Sequence, residues 1–357
     1  MQRRPTIADV ARDAGVSKGL VSLTLNGRPG VAAQTRERIN ASAKRLGWRP
    51  NPSARGLSNH RAYSLGLVLR RDPLTFEVDP FFAAFVAGVE QVLSARGQVL
   101  VLSIVPDADT ETETYRRLTL DNRVDGFLIT DLLGADPRID LIAELGGVAV
   151  TLGRPADGSP FPAITRDYDD GILALVGHLT SLGHRRIAHV AGDERMQHAQ
   201  GRLERFVEVA DELGAEPIIE SSDFSPESGA TATRRLLDLD EPPTAIVYAN
   251  DPMAVAGIAV AHERGMRLPE DLSIAGMDGA DIGRYIYPTL TSLDNDPHGW
   301  GRSAAAALLS LIENGHAADV ALPASALIRR NSTAAPPPAF VDTGTGPHTS
   351  TTNQRRP

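Results

Sequence analysis

Lysine and arginine crowd the front of this chain. Arg3, Arg4, Arg12, Lys18, Arg28, Arg36, Arg38, Lys44, Arg45, Arg49, Arg55 and Arg61 face only Asp9, Asp13 and Glu37 in the first 61 residues. That is a net +9, so the rest of the 357-residue chain must carry −18 to reach the overall −9. Cations at this density neutralise phosphates. A small cationic head on a large anionic body is the pattern of a polyanion binder joined to a separate regulatory unit, and DNA is the expected polyanion. A second set of residues suits a small hydroxylated ligand. Asp278 closes the apolar run SIAGMD, Asn250 and Asp251 close TAIVYAND, and Thr130 closes GFLIT; carboxylates, amides and hydroxyls at such ends can hold hydroxyl groups. Covalent chemistry finds no support: the sequence has no P-loop, no G-x-G-x-x-G after a strand and no G-x-S-x-G elbow. Without cysteine there is no disulfide framework and no thiolate zinc site. His178, His184 and His189 lack the carboxylate or thiolate companions of a metal set. No cofactor, no metal and no catalysis are expected.

Short helices must position the cations. Thr6-Ile7-Ala8-Asp9 fits a capping pattern, so a helix begins at Ile7, with Ile7, Val10 and Ala11 on one face. Gly15 closes it and permits a sharp turn. Ser17 caps a second helix over roughly 18–26, and a third runs over about 34–46 and ends at Gly47. Helix, glycine turn, helix is the helix-turn-helix pattern, whose second helix enters the major groove. The alternative is a small bundle with solvated charges, which leaves the charge asymmetry unexplained. Next, Pro50 forces an extended entry, Asn51 is a good N-cap and Pro52 suits a first helical position. Only about two turns follow, below the roughly 12–15 residues an isolated helix needs, so this segment folds only against a partner. Leu57 ends it with no local core to enter.

From Ser64 the pattern changes to apolar runs alternating with amphipathic helices. LGLVL, VLVLSIV, GFLIT and VAVTL make one set; RRIAHVAG, TAIVYAND and LSIAGMD make a second. Strand-helix alternation with fully apolar strands indicates parallel sheets covered on both faces. Two sets mean two doubly wound subdomains, with ligands collecting in a cleft at the strand ends. No apolar run approaches the ~18 residues of a membrane span, and MQRRPTIADV lacks the apolar stretch of a secretory signal. A cytoplasmic, nucleoid-associated protein is expected.

The motifs T-I-x-D-V-A-x-x-A-G-V-S (6–17), V-S-x-x-L-N (21–26), T-R-E-R-I (35–39) and L-G-W-x-P-N-x-x-A-R-x-L (46–57) resemble the DNA-binding head of the lactose-repressor/galactose-repressor (LacI/GalR) family. ANDPMA and DLSIAGMD in the body match it too, and the body also resembles periplasmic sugar-binding proteins. The resemblance covers 6–332. It implies an α/β protein with an all-α helix-turn-helix domain (1–49), a hinge helix and linker (50–62) and an effector-binding, dimerising core (63–332). The core would divide into about 63–164 with 294–320, and about 165–293 with 321–332, the chain crossing back to the first subdomain for the helix at 299–315. Residues 333–357, rich in Pro, Thr and Gly, read as a disordered tail without the heptads of a tetramerising coil. The residues expected at DNA are Thr6, Ser17, Lys18, Gly19, Leu20, Ser22, Leu23, Asn26, Thr35, Asn51, Ala54, Arg55 and Leu57. In the family, the hinge helices of a dimer pair in the minor groove and a leucine, here Leu57, wedges between base pairs with Ala54 beside it. The effector set implied is Phe81, Phe82, Thr130, Arg202, Phe224, Asn250 and Asp278. Phe82 and Phe85, three apart, also fit a core face, and Asn250 also fits a helix cap.

The chain departs from the family at several places. Leu20 and Leu23 stand where Thr and Arg are common in the recognition helix, and leucine cannot make a bidentate guanine contact. Lys18 and Ser22 remain the polar base readers. Ala32 replaces a common Ser cap, and Gln200 and Gly153 stand where Arg and Asp are frequent. The expectation is a homodimeric, sequence-specific transcriptional regulator, a repressor, on a near-palindromic operator and controlled by a small metabolite, a sugar being the expected class. The alternative is a sugar sensor or transport-type binding protein that does not act on DNA. It explains 64–330 equally well but not the head.

Overall fold

The computed structural model describes residues 5–25, 29–48, 61–71 and 73–337. Three helices make the head: α1 (Ile7–Ala14), α2 (Lys18–Leu25) and α3 (Ala33–Arg45). Both halves of the expected capping box form. The Thr6 hydroxyl accepts from the Asp9 amide, and the Asp9 carboxylate accepts from the Thr6 amide at 2.9 Å. Gly15 turns the chain at φ 62°, and Ser17 Oγ accepts from the Leu20 amide at 3.2 Å. Helix α3 starts and ends one residue earlier than expected, with no side-chain cap at Ala32. Val10, Ala11, Ala14, Val21, Ile39 and Ala43 form the head's core, with Trp48 packed against it. Asp13 ties α1 to α3 by accepting from the Ser42 hydroxyl and the Arg45 guanidinium. Those two bonds hold its carboxyl below the ordinary range.

The body then runs β1 (Ser64–Arg70), α4 (Pro73–Val78), α5 (Pro80–Ala95), β2 (Val99–Val105), α6 (Ala108–Leu120), β3 (Phe127–Ile129), α7 (Pro137–Glu144), β4 (Ala149–Leu152) and β5 (Ala163–Arg166). A second run follows: α8 (Asp169–Ser181), β6 (Arg186–Val190), α9 (Gln197–Glu212), β7 (Glu216–Glu220), α10 (Pro226–Leu237), β8 (Ala245–Tyr248), α11 (Asp251–Glu263), β9 (Ser273–Gly276) and β10 (Thr291–Asp294). Last come α12 (Pro297–Asn314), β11 (Val320–Leu322) and β12 (Ala326–Ile328). Two six-stranded sheets result, ordered β11-β5-β4-β3-β1-β2 and β12-β10-β9-β8-β6-β7. The first is parallel throughout. The second corrects the all-parallel expectation, because β12 pairs antiparallel with β10 at the edge.

Helix α12 returns to the first sheet by direct backbone contact with α5. A Cβ on Gly88 would lie 2.1 Å from the His298 carbonyl, and one on Gly301 would lie 2.1 Å from that of Phe85. Only glycine at both places lets the two helices approach so closely. The divisions expected at about 164, 293 and 320 lie close to the segments 167–168, 295–296 and 323–325, where the chain passes between the two sheets.

The start of the tail is also corrected, because 333–334 are pinned rather than free. The Ala334 amide donates to Ser273 Oγ at 3.0 Å, and His184 Nε2 reaches the Ala334 carbonyl at 2.8 Å. Thr333 Oγ1 lies 2.9 Å from His178 Nε2. His184 is buried and its other ring nitrogen meets Thr244 Oγ1 at 2.8 Å. Composition alone cannot reveal such a clamp. The expected tail beyond 337 lies outside the described residues.

Candidate functional site

The strand ends of both sheets and the crossing segments enclose one cavity with about 660 Å³ of empty space, its solvent mouth included. All seven residues expected to hold a small ligand line it. From the first subdomain, Asp79 caps α5 by accepting from the Phe81 amide at 3.0 Å, which sets Phe81 and Phe82 at the cavity wall. Phe82 is fully buried, and the Arg71 guanidinium lies 4.7 Å over its ring. It is thus both core and wall, whereas Phe85 is core alone. Thr130, just after β3, is buried with no hydrogen-bond partner at Oγ1.

From the second subdomain, Phe224 takes φ 68° and lays its ring on Gly192, where a Cβ would come within 1.9 Å of it. Asn250 does what its alternative reading required. Its Oδ1 accepts from the Met253 amide at 2.9 Å, capping α11, and its Nδ2 donates to the Phe224 carbonyl at 2.8 Å. Asn250 therefore positions Phe224. Arg202 lies 4.5 Å over the Tyr168 ring and donates to the Ala249 carbonyl at 3.3 Å, and its Nε has no partner. Asp278 accepts from the Asp251 amide at 2.9 Å. In return, the buried Asp251 carboxylate accepts from the amides of Asp278 and Ala280 and from the Ser292 hydroxyl, at 3.2, 2.8 and 2.6 Å. The pair holds the 278–280 loop against the cavity.

Sequence reasoning passed over Arg71, Asp79, Asp131, Leu152, Tyr168, His198, Ala249, Asn295 and Trp300, which complete the lining. The strand-end rule applied to the first sheet would have found Arg71 after β1 and Asp131 after β3. Arg71 donates twice to Asp131 Oδ2, at 3.0 and 2.9 Å. Burial disfavours both charges, but their mutual attraction prevails, holding Asp131 below and Arg71 above their ordinary ranges. Burial, helped by Arg202, pushes His198 down to about 4 against the pull of Asp131. The ring is neutral at pH 7 and stacks on Phe224 with centroids 5.6 Å apart. Among the described residues no group of His, Cys, Asp and Glu is arranged to hold a metal.

On the head, Lys18 and Gly19 are exposed at the start of α2, and Leu23 is 36% exposed. Ser22 is half-buried. Leu20 is half-buried too, packing in part against the head's core. Thr6 caps α1, Ser17 caps α2, and Thr35 sits half-buried in the first turn of α3. Asn26, Asn51, Ala54, Arg55 and Leu57 lie outside the described residues.

The family description "Bacterial regulatory proteins, lacI family" matches residues 6–51, and "Periplasmic binding protein-like domain" matches 176–333. The chain is 33% identical over 317 residues to the HTH-type transcriptional regulator CelR of Thermobifida fusca, covering 87% of this chain and 93% of that protein. It is 30% identical to the HTH-type transcriptional repressor CytR of Escherichia coli K12, covering 87% and 91%. Among solved structures, the lac repressor dimer bound to operator and the anti-inducer ONPF superposes with a TM-score of 0.80 at 29% identity, over 93% of this chain and all of that one. A CelR–cellobiose complex superposes with a TM-score of 0.70 at 32% identity, over 92% and 100%. A DNA-binding head joined to a two-sheet ligand core, with this likeness along nearly the whole chain, makes the protein a member of the lacI family of bacterial regulatory proteins.

Proposed function

We propose that the chain is a homodimeric, sequence-specific DNA-binding repressor whose hold on its operator is set by a small carbohydrate in the cleft. One observation carries the ligand class. Two buried donors, Thr130 Oγ1 and Arg202 Nε, are left without partners in a cavity walled by Phe81, Trp300, Tyr168 and Phe224. Aromatic faces stack on the apolar faces of sugar rings, and unpaired polar groups between them await hydroxyls. The relatives point the same way: CelR has been solved with cellobiose. The reading assigns no catalysis. Asp79 and Asp131 bind Arg71, and Asp278 anchors on the Asp251 amide.

In the head, exposed Lys18, Gly19 and Leu23 with half-buried Ser22 form the reading edge of α2, and the cations of this region supply salt-dependent affinity. The alternative of a binding protein without DNA leaves this head unused. A second copy would cover the apolar edge strand β2, where Val99, Leu102 and Ile104 are exposed, together with Tyr285 and Tyr287. A repressor works where its DNA lies, so the reading carries with it a cytoplasmic, nucleoid-associated chain.

Ligand acts only through different affinity for two arrangements of the subdomains. Those arrangements move the hinge segments of a dimer together or apart, and the expected hinge at 51–57, which lies outside the described residues, is the element they act on. The test is a gel-shift titration against genomic fragments at rising salt, with and without added sugars. A specific complex released or tightened by one sugar supports the reading, and binding indifferent to every sugar rejects the regulatory half of it. Leu57→Ala is expected to weaken operator binding about tenfold or more while non-specific binding barely changes. Equal losses in the two would remove the wedge.

A further inference from the structure

Beyond the aromatic cavity lies a larger chamber, with about 1190 Å³ of empty space open to solvent. The two share Arg71, Thr130 and Asp131, so the Arg71–Asp131 ion pair is the sill between them. Their linings differ in kind. The inner one is walled by aromatic rings; the outer one has none, and is lined mainly by charged side chains. Those charges are mostly already matched. Arg70 and Arg138 both reach Glu111 at 3.3 Å, and Arg195 sits 2.5 Å from Asp193. Asp107 and Asp223 add two further carboxylates, leaving five acids against four guanidinium groups, so the chamber offers no surplus positive charge to an anion. Paired charges still present lone pairs and N–H groups at their edges, which suits a neutral polyhydroxylated unit. Both subdomains contribute. The chamber is bounded on one side where the chain at Leu133 bridges Met196 and the Gln197 amide donates to the Leu132 carbonyl at 2.8 Å.

We propose that the effector is a neutral oligosaccharide of at least two units, with one ring between the inner aromatics and the next extending over the Arg71–Asp131 sill into the outer chamber. This rests on the carbohydrate reading above and makes it more specific. A second unit touching Leu133 on one subdomain and Met196 or Arg195 on the other binds best when the two are close together. Ligand length is therefore coupled to closure.

The full-length protein is titrated by calorimetry with glucose, cellobiose and maltose, with galactose and lactose, with xylose and xylobiose, and with trehalose and trehalose 6-phosphate. The same series is repeated on Ala108→Trp, which fills the outer chamber from an exposed position at the start of α6. At least one disaccharide is expected to bind about tenfold or more tightly than its monosaccharide. In Ala108→Trp that ratio falls to about one while monosaccharide affinity is unchanged. A monosaccharide that binds as tightly as every disaccharide containing it overturns the proposal. So does a length preference that survives Ala108→Trp, or trehalose 6-phosphate binding more tightly than trehalose. Silence toward every carbohydrate, in protein that still binds operator, removes the underlying carbohydrate reading and the proposal with it.

Discussion

Asp278→Asn is expected to raise the melting temperature of the core and to abolish its response to ligand. Burial pushes the Asp278 carboxyl well above the ordinary range. The nearby Asp251 and Asp79 add to the push, while the Asp251 amide and the Arg202 charge pull it back. Asparagine keeps an oxygen for the Asp251 amide and removes a charge that burial beside two other carboxylates disfavours. A buried polar group without full compensation costs about 1–3 kcal/mol, and each kcal/mol moves the midpoint of a domain this size by roughly 2–4 °C. The native state holds this proton more tightly than the unfolded chain does. Stability from this group is therefore present below the ordinary carboxylate range and falls as pH rises through the raised one. The Asn variant's advantage is thus largest at pH 7–8 and disappears toward pH 4. Thermal unfolding at the two pH values measures it, and an advantage equal at both would refute the burial argument. Operator binding without ligand is expected to be unchanged. If the variant still responds to ligand, Asp278 is not a ligand contact.

Arg138→Met is expected to destabilise the first subdomain by about 3–5 kcal/mol, the cost of breaking a buried ion pair from one side. Arg138 is buried and fully engaged. It donates to Asp136 at 2.8 and 2.6 Å, to Glu111 at 3.3 Å, and to the carbonyls of Thr130 and Asp131 at 2.9 and 3.0 Å. Burial already pushes Glu111 up despite this partner, so without Arg138 the Glu111 carboxylate keeps only Arg70, Asp136 loses two bonds and two carbonyls lose a donor. Arg138→Lys recovers little, because one ammonium cannot reproduce a planar fork spread over four residues. Urea unfolding measures both variants, and a Lys variant within ~1 kcal/mol of wild type would show that charge alone suffices. Ligand affinity should fall as well, since Arg138 holds the strand end where Asp131 sits at φ 50°.

The head was legible because its signals are local. A capping box, a glycine turn and a serine cap each depend on residues three or four apart, and all three form as read. The cleft was legible at strand ends, where Asp278, Asn250 and Thr130 stand, and the family likeness supplied Arg202 and the phenylalanines. Asn295 and Trp300 were not legible. They reach the cavity only because the chain crosses between sheets after β10, a fact about topology that no local pattern carries. The pinned start of the tail depends on His184 and Ser273, more than sixty residues from Ala334 and close only after both sheets are in place.

The three crossings also set a timetable for the newborn chain. Neither sheet corresponds to a continuous stretch of sequence. The first waits for Val320–Leu322 and the second for Ala326–Ile328. The head's core, by contrast, is complete by Trp48. At ~5–20 residues per second of synthesis, on the order of tens of seconds separate the two events. During that interval a finished DNA-binding module hangs from a ribosome with no sensor behind it. The late closure of both sheets makes regulation the last property this protein acquires, and a truncated chain would hold the cationic head without the means to be told to let go.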